Sequence, residues 1–374
     1  DMTDEQATVY EDLRQRAEAL SKGQSNDENG NPTDFTFAII RDMDRVCSDM
    51  DLYRRTMTFR FPLKYGEAVE KLVADLPTSI NDAAIEDDKQ DEDADKTVIQ
   101  AKLDAKLSTS DHAITLVVPE AYEQEVVSRL DQFGITASDV SHPLMPKYAR
   151  MLENLKRGHE EGGKQIIFTE EKSQHEKLKR IIINSLGIPA EQIGIINAKT
   201  VSSKGVDGEQ ASLEGFAGAY NEGKIRILIC NKKAEVGVNL HHGTTDIHHL
   251  TLPWTPASIK QRNGRGARVG AKQKKVRVHY YVGKGSFDQF RLDTLKRKAN
   301  WQNELFTSDA EKMKNADADD AMDASLLLAA DPEERRARIE ANQAKARAKI
   351  EEAARRRAGI DLHNYLKAAH DMGG

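Results

Sequence analysis

A parallel, doubly wound α/β sheet covered by helices on both faces is the fold that residues 147–300 predict. Two observations carry it. Short apolar runs recur at 164–169 (KQIIFT), 194–197 (GIIN), 225–230 (IRILIC), 246–252 and 276–282 (VRVHYYV), each short enough for a buried strand. Between them stand stretches with helical spacing at 172–186, 213–221 and 257–265. Strands alternating with helices in this rhythm argue for parallel pairing. The loops at the strand C-termini are then where function is sought.

The remaining elements flank this lobe. Residues 1–63 read as a helical connector. A first helix over 3–20 is capped by Thr3 or Asp4 and faces inward through Val9, Leu13, Ala17 and Leu20; a polar loop follows at 22–32. A second helix covers 35–53, with Phe37, Ile40, Met43 and Val46 or Cys47 on its apolar face.

Residues 64–146 read as an insertion, helical at 65–76 and then strongly acidic. The run from Glu86 to Lys96 has seven acids against two lysines, offers nothing to bury, and is expected to be a mobile loop. A buried strand at 114–118 leads through Pro119 into a helix that Gly134 stops near Phe133. The lobe itself opens with a helix at 147–157, apolar at Tyr148, Met151, Leu152 and Leu155 and ended by Gly162-Gly163. Residues 301–374 form a helical extension. Asp331-Pro332-Glu333-Glu334 is a helix start, and the helix runs to about Ala358 and Gly359; its scarcity of large apolar residues suits a solvated arm or a partner helix.

Composition narrows the class. With 374 residues, 39% of them hydrophobic and 31% charged, the chain can bury a sizeable core. It has no run of about 18 apolar residues for a membrane span. The acidic first residues are not a secretory signal, and they open directly into a helical pattern, as expected at a cut. Two distant cysteines, Cys47 and Cys230, suit a reduced, cytoplasmic setting. The net charge of −6 is unevenly spread: residues 258–300 hold thirteen Lys and Arg against two Asp, which points to a polyanionic partner.

The most specific string is QRNGRGARVG at 261–270. Gln261, Gly264, Arg265, Arg268 and Gly270 give the form Q-x-x-G-R-x-x-R-x-G, with two arginines three apart on one side of a helical turn. Such a pair can grip one phosphate group. The alternative is a solvated basic face, since six Lys and Arg lie between 260 and 274. The doublets His241-His242 and His248-His249 lack metal-ligand spacing, so no metal site is expected.

KQIIFTE (164–170), INAKT (196–200), CNKKAEVGVNL (230–240), LPWTP and QRNGRGARVG stand in the order of motifs in the C-terminal RecA-like lobe of a superfamily 2 helicase. The resemblance is to the chromatin-remodeller-like branch of translocases. It is specific for 147 to about 292, loose for the first 60 residues, and fails for the insertion and the C-terminal arm. Glu235 replaces the first glycine of a G-x-G-x-N-L element, and Thr255 the asparagine of W-N-P. No G-x-x-x-x-G-K-[ST] phosphate loop occurs in these 374 residues.

The resemblance implies half of a two-lobe motor that uses ATP and Mg²⁺, its first lobe lying elsewhere, with no ATP hydrolysis by this chain alone. It implies Arg268 as arginine finger, Arg265 as its companion, and Gln261, Gly237 and Gly264 facing the nucleotide. Nucleic acid, with DNA favoured, would lie against Thr169, Glu170, Asn197, Lys199, Thr200, Asn231, Lys232 and Asn239. The competing reading is a helicase-like lobe kept only for docking protein or nucleic acid.

Overall fold

The computed structural model describes residues 1–22, 35–82, 99–197, 200, 212–235, 237–268 and 275–296. The acidic run, Lys199, Gly270 and the 301–374 extension lie outside the described residues. Two units are distinguished, one of residues 1–13 and 40–284, the other of 14–39 and 285–374. In the second, residues 287–296 are helical; the Phe287 and Phe290 rings lie 6.0 Å apart, and the Arg291 guanidinium sits 4.9 Å from the Phe287 ring.

Helix α1 (Asp4–Lys22) begins in a capping box. Thr3 Oγ1 accepts from Gln6 N–H at 3.2 Å and Gln6 Oε1 accepts from Thr3 N–H at 3.1 Å. Helix α2 (Phe35–Ser48) is followed by α3 (Met50–Arg54). The single helix expected over 35–53 is therefore broken at Asp49, whose backbone is extended (φ −159°, ψ 134°) and whose carboxylate accepts from Asp51 N–H at 2.8 Å.

Residues 56–140 have a sheet and core of their own. Strands β1 (Thr56–Phe61), β4 (Lys106–Thr109) and β5 (Ile114–Pro119) form an antiparallel sheet in the order β1-β5-β4, while β2 (Ser79–Asp82) pairs with β3 (Ile99–Lys102). Helices α4 (Gly66–Asp75) and α5 (Glu123–Arg129) close a cluster running from Met57 and Phe59 to Val140. The sheet thus begins at Thr56, within the stretch expected to be helical connector. Alternate burial along TMTFRF and ITLVVP gives each strand one face on the core.

The lobe follows the predicted order: α6 (Pro146–Glu160), β6 (Lys164–Phe168), α7 (Ser173–Leu186), β7 (Ile193–Ile196), α8 (Leu213–Glu222), β8 (Ile227–Cys230), β9 (Thr244–His249), α9 (Pro256–Gly266) and β10 (Arg277–Tyr280). The strands form one five-stranded sheet, β10-β9-β6-β8-β7, with every pair parallel. Cluster one packs α6 and α7 against Ile167, Ile195 and Ile229; cluster two packs α8 against Ile166, Ile196 and Leu228 on the opposite face. This is the α/β RecA-like fold. Because the strands are parallel, the residues that follow β6, β7, β8 and β9 gather along one edge.

Candidate nucleotide and nucleic-acid site

At this edge the interior is polar. Thr169 follows β6 and is 2% exposed; Asn197 follows β7 and Asn231 follows β8, each 5% exposed. They organise the tips. The Thr169 carbonyl accepts from His175 Nε2 at 3.1 Å, and His175 Nδ1 accepts from Asn197 Nδ2 at 3.1 Å, which assigns the neutral Nε2–H tautomer to this buried ring. Asn197 Oδ1 accepts from Thr200 N–H at 3.1 Å, and Asn231 Oδ1 accepts from Lys233 N–H at 3.0 Å. Of the residues expected to touch nucleic acid, Lys232 and Asn239 are exposed, whereas Thr169, Asn197 and Asn231 are inside. Glu170 is committed elsewhere.

Helix α9 and the two residues that follow it carry the arginine block. Its start is set by Pro256 and by Thr255 Oγ1, which accepts from Ser258 N–H at 3.2 Å, so threonine caps where the resemblance has asparagine. Three arginines, at 262, 265 and 268, then grip successive stations of the loop that follows β8. Arg262 Nε donates to Glu235 Oε1 at 2.7 Å, Arg265 donates to the Val238 carbonyl at 3.0 Å, and Arg268 donates to Asn239 Oδ1. The Arg265 carbonyl also accepts from Leu240 N–H at 3.0 Å.

Their environments differ. Arg262 is 1% exposed, also pairs with the Glu170 carboxylate, and lies 5.2 Å from the Phe168 ring. Arg265 is half-buried, and its Nε has no acceptor among the described residues. Arg268 and Gln261 are exposed. Two guanidinium groups with donors to spare suit an anion. Glu170 and Glu235 are both paired with Arg262.

Sequence reasoning missed Arg262. The available signal was the R-x-x-R-x-x-R spacing together with an acid, Glu235, in a glycine's place: the carboxylate is 4% exposed and answers the buried guanidinium. The glycines also separate by role. Gly237 has φ +85°, which favours glycine, whereas Gly264 has nothing within 4 Å of where a Cβ would stand and so is bare toward the outside. At Gly266, by contrast, a Cβ would lie 2.8 Å from Thr244 Cγ2 on β9.

The histidine doublets resolve differently from each other. His248 and His249 are strand neighbours and point to opposite faces. His248 Nδ1 bonds Tyr281 Oη at 2.7 Å and its Nε2 bonds Gln165 Oε1 at 2.9 Å, while His249 bonds Asn263 Oδ1 at 2.8 Å. The β9–β10 register sets Arg277 beside Asp246 and His279 beside His248. Asp246, His248 and His279 could converge on a metal. However, Asp246 accepts from Arg277 Nε at 2.7 Å and bonds His279 Nε2 at 2.8 Å, a hydrogen-bonded ion pair in which the cation's place is already taken. Burial opposes ionisation of Asp246, yet hydrogen bonds from His279, Arg277 and Thr245 hold its carboxyl well below the usual range. Burial, reinforced by His279, depresses His248 to about 3. His241 and His242 stand edge to face, 4.4 Å apart, with burial and its neighbour lowering His241.

Residues 146–270, which hold the parallel five-stranded lobe and most of its arginine block, match the helicase conserved C-terminal domain. Across its whole length the chain is 45% identical to the "Defense against restriction protein B" of Escherichia phage P1; it spans 18% of that protein. Among solved structures it is similar to the Sulfolobus solfataricus SWI2/SNF2 ATPase core in complex with dsDNA (14% identity, 90% of this chain and 47% of that one, TM-score 0.45). It is also similar to the C-terminal part of the Fun30 ATPase domain (19% identity, 40% of this chain and 45% of that one, TM-score 0.33). Residues 146–270 are therefore similar to the helicase conserved C-terminal domain. No helix among the described residues is long and apolar enough to cross a membrane.

Proposed function

We propose that this chain supplies the second motor lobe of an ATP-dependent nucleic-acid translocase or helicase acting on double-stranded DNA. The observation that carries this reading is the pair Arg265 and Arg268, the first with an unanswered buried donor on the helix that borders the strand tips, the second exposed just past that helix's end. The guanidinium fork stays charged and binds phosphate oxygens in pairs. Arg268 is the arginine finger and Arg265 its companion at the γ-phosphate; Gln261, Gly264 and Gly237 face the nucleotide.

No phosphate loop lies in residues 1–374, so ATP and Mg²⁺ are held chiefly by a first lobe outside them, and this chain alone hydrolyses no ATP. Nucleic acid is held by backbone phosphates, with Lys232 and Asn239 as direct contacts. Thr169, Asn197, Thr200 and Asn231 shape the loops; Lys199 stays a positional candidate. Glu170, a carboxylate in an ion pair, is withdrawn from phosphate contact.

In the polypeptide carrying both lobes, Arg268→Ala lowers the ATP turnover number by about 10³ to 10⁵ with the fold intact. An unchanged rate would instead favour a lobe kept for docking, with the 301–374 extension as a protein contact.

A further inference from the structure

We propose that Arg262 is a positioning residue for phosphoryl transfer: its ion pairs with Glu235 and Glu170 fix the helix that carries Arg265 and leads directly into Arg268 against the loop carrying Gly237 and Asn239. The inference rests on the two-lobe motor reading.

Stability does not explain the arrangement. The Arg262 guanidinium pairs with Glu235, which is nearly as buried, and with Glu170, whose side chain is 39% exposed; desolvating the Arg262–Glu235 pair alone costs enough that well-packed apolar side chains of similar volume often serve as well or better. What arginine adds is geometry. Its planar fork meets carboxylates from two different segments while its face lies on the Phe168 ring, and lysine, a point charge, cannot do all three. The segments joined are the tip of β6, which ends at Phe168 and leads to Glu170; the short turn from Lys232 to Glu235, which leads into Gly237; and α9.

Arg262 precedes Arg265 by one helical turn, so both lie along one side of the helix, which ends at Gly266; Arg268 follows two residues past that end. Any roll of α9 about its axis that moves Arg265, or the helix end from which Arg268 emerges, must first break the Arg262 ion pairs. Arg268 and Asn239 are both exposed, so their contact is the exchangeable one, free to pass to a phosphate. A displacement of 1 Å at a reacting centre costs about 10²-fold in rate. A buried anchor one helical turn back prevents it.

The test uses the polypeptide carrying both lobes, with duplex DNA and ATP, and compares R262K and the neutral triple variant R262M/E235M/E170Q with wild type and R268A. Thermal unfolding establishes which variants are folded. The expected result is a turnover number at least tenfold below wild type in each folded Arg262 variant, with KM for ATP within threefold, because ground-state binding is retained while alignment is lost. A merely structural Arg262 leaves the folded triple variant at wild-type turnover. A folded Arg262 variant within twofold of wild type overturns the proposal, and if the triple variant fails to fold, R262K decides. An inactive R268A beside fully active Arg262 variants overturns this inference alone, whereas an R268A at the wild-type rate overturns the motor reading and this inference with it.

Discussion

Lys177 has no exposed side-chain surface and donates to Asp49 Oδ2 and Asp51 Oδ2, each at 2.7 Å. Burial works against its charge, but the two carboxylates outweigh it and raise Lys177. Burial likewise works against Asp51, which Lys177 and Thr58 nonetheless lower, while at Asp49 burial prevails and raises the group. Removing the cation strands two acids in the interior. Lys177→Met should cost about 3–5 kcal/mol, read by urea unfolding of this chain; a loss below about 1 kcal/mol would mean that water reaches the site. None of this could be read locally. Asp49 is compatible with a helix interior, and its partner lies 128 residues downstream.

Helix α9 makes a prediction with an internal control. Gly264→Ala meets nothing within 4 Å, so it should stabilise the lobe by up to about 1 kcal/mol through helix propensity while impairing ATP use. Gly266→Ala forces a Cβ to 2.8 Å from Thr244 Cγ2 and 3.0 Å from Ile247 Cδ1, and should destabilise by about 1–3 kcal/mol. Paired unfolding curves would check both, and equal midpoints would contradict the packing argument. The order of the lobe's elements was legible because each is signalled by its own residues: apolar runs for strands buried on both faces, Pro256 and Thr255 for the start of α9. Strand β1 was legible and was missed: TMTFRF alternates polar and apolar residues, the pattern of a half-buried strand, and it pairs with β5, with Thr56 opposite Pro119 and Phe61 opposite Ile114. The arginine pair was visible as spacing, but the choice of inner and outer arginines depended on Glu235 and Glu170 arriving from other segments.

At the scale of the whole chain, buried neutral histidines tie stability to pH. Burial lowers His142 to about 3 and His249 to about 4, and His248 also stands at about 3. The unfolded chain protonates its histidines near about 6.5, so below that pH it binds more protons than the native state. Their contribution is complete above about pH 7 and drains away as pH falls toward 4; the lowered carboxyl of Asp246 adds a loss in the same direction below about 4. The thermal midpoint should therefore be lower at pH 5 than at pH 7.5, and equal midpoints would contradict the buried, neutral assignment. The isolated chain should bind duplex DNA weakly, with affinity falling steeply as salt is raised; salt-insensitive binding would argue against phosphate contacts.

One side of α7 has a further consequence. Lys177 reaches Asp49 and Asp51, Arg180 reaches Glu123, and Asn184 Nδ2 donates to the Val140 carbonyl at 2.6 Å. Three successive helical turns are riveted to the small β1-β5-β4 sheet unit and to the Asp49–Asp51 segment before it. That unit is then a pointer on a dial: a label at its far end would sweep through a wide arc for a few degrees of lobe rotation, while its distance to a second label on α7 stayed constant.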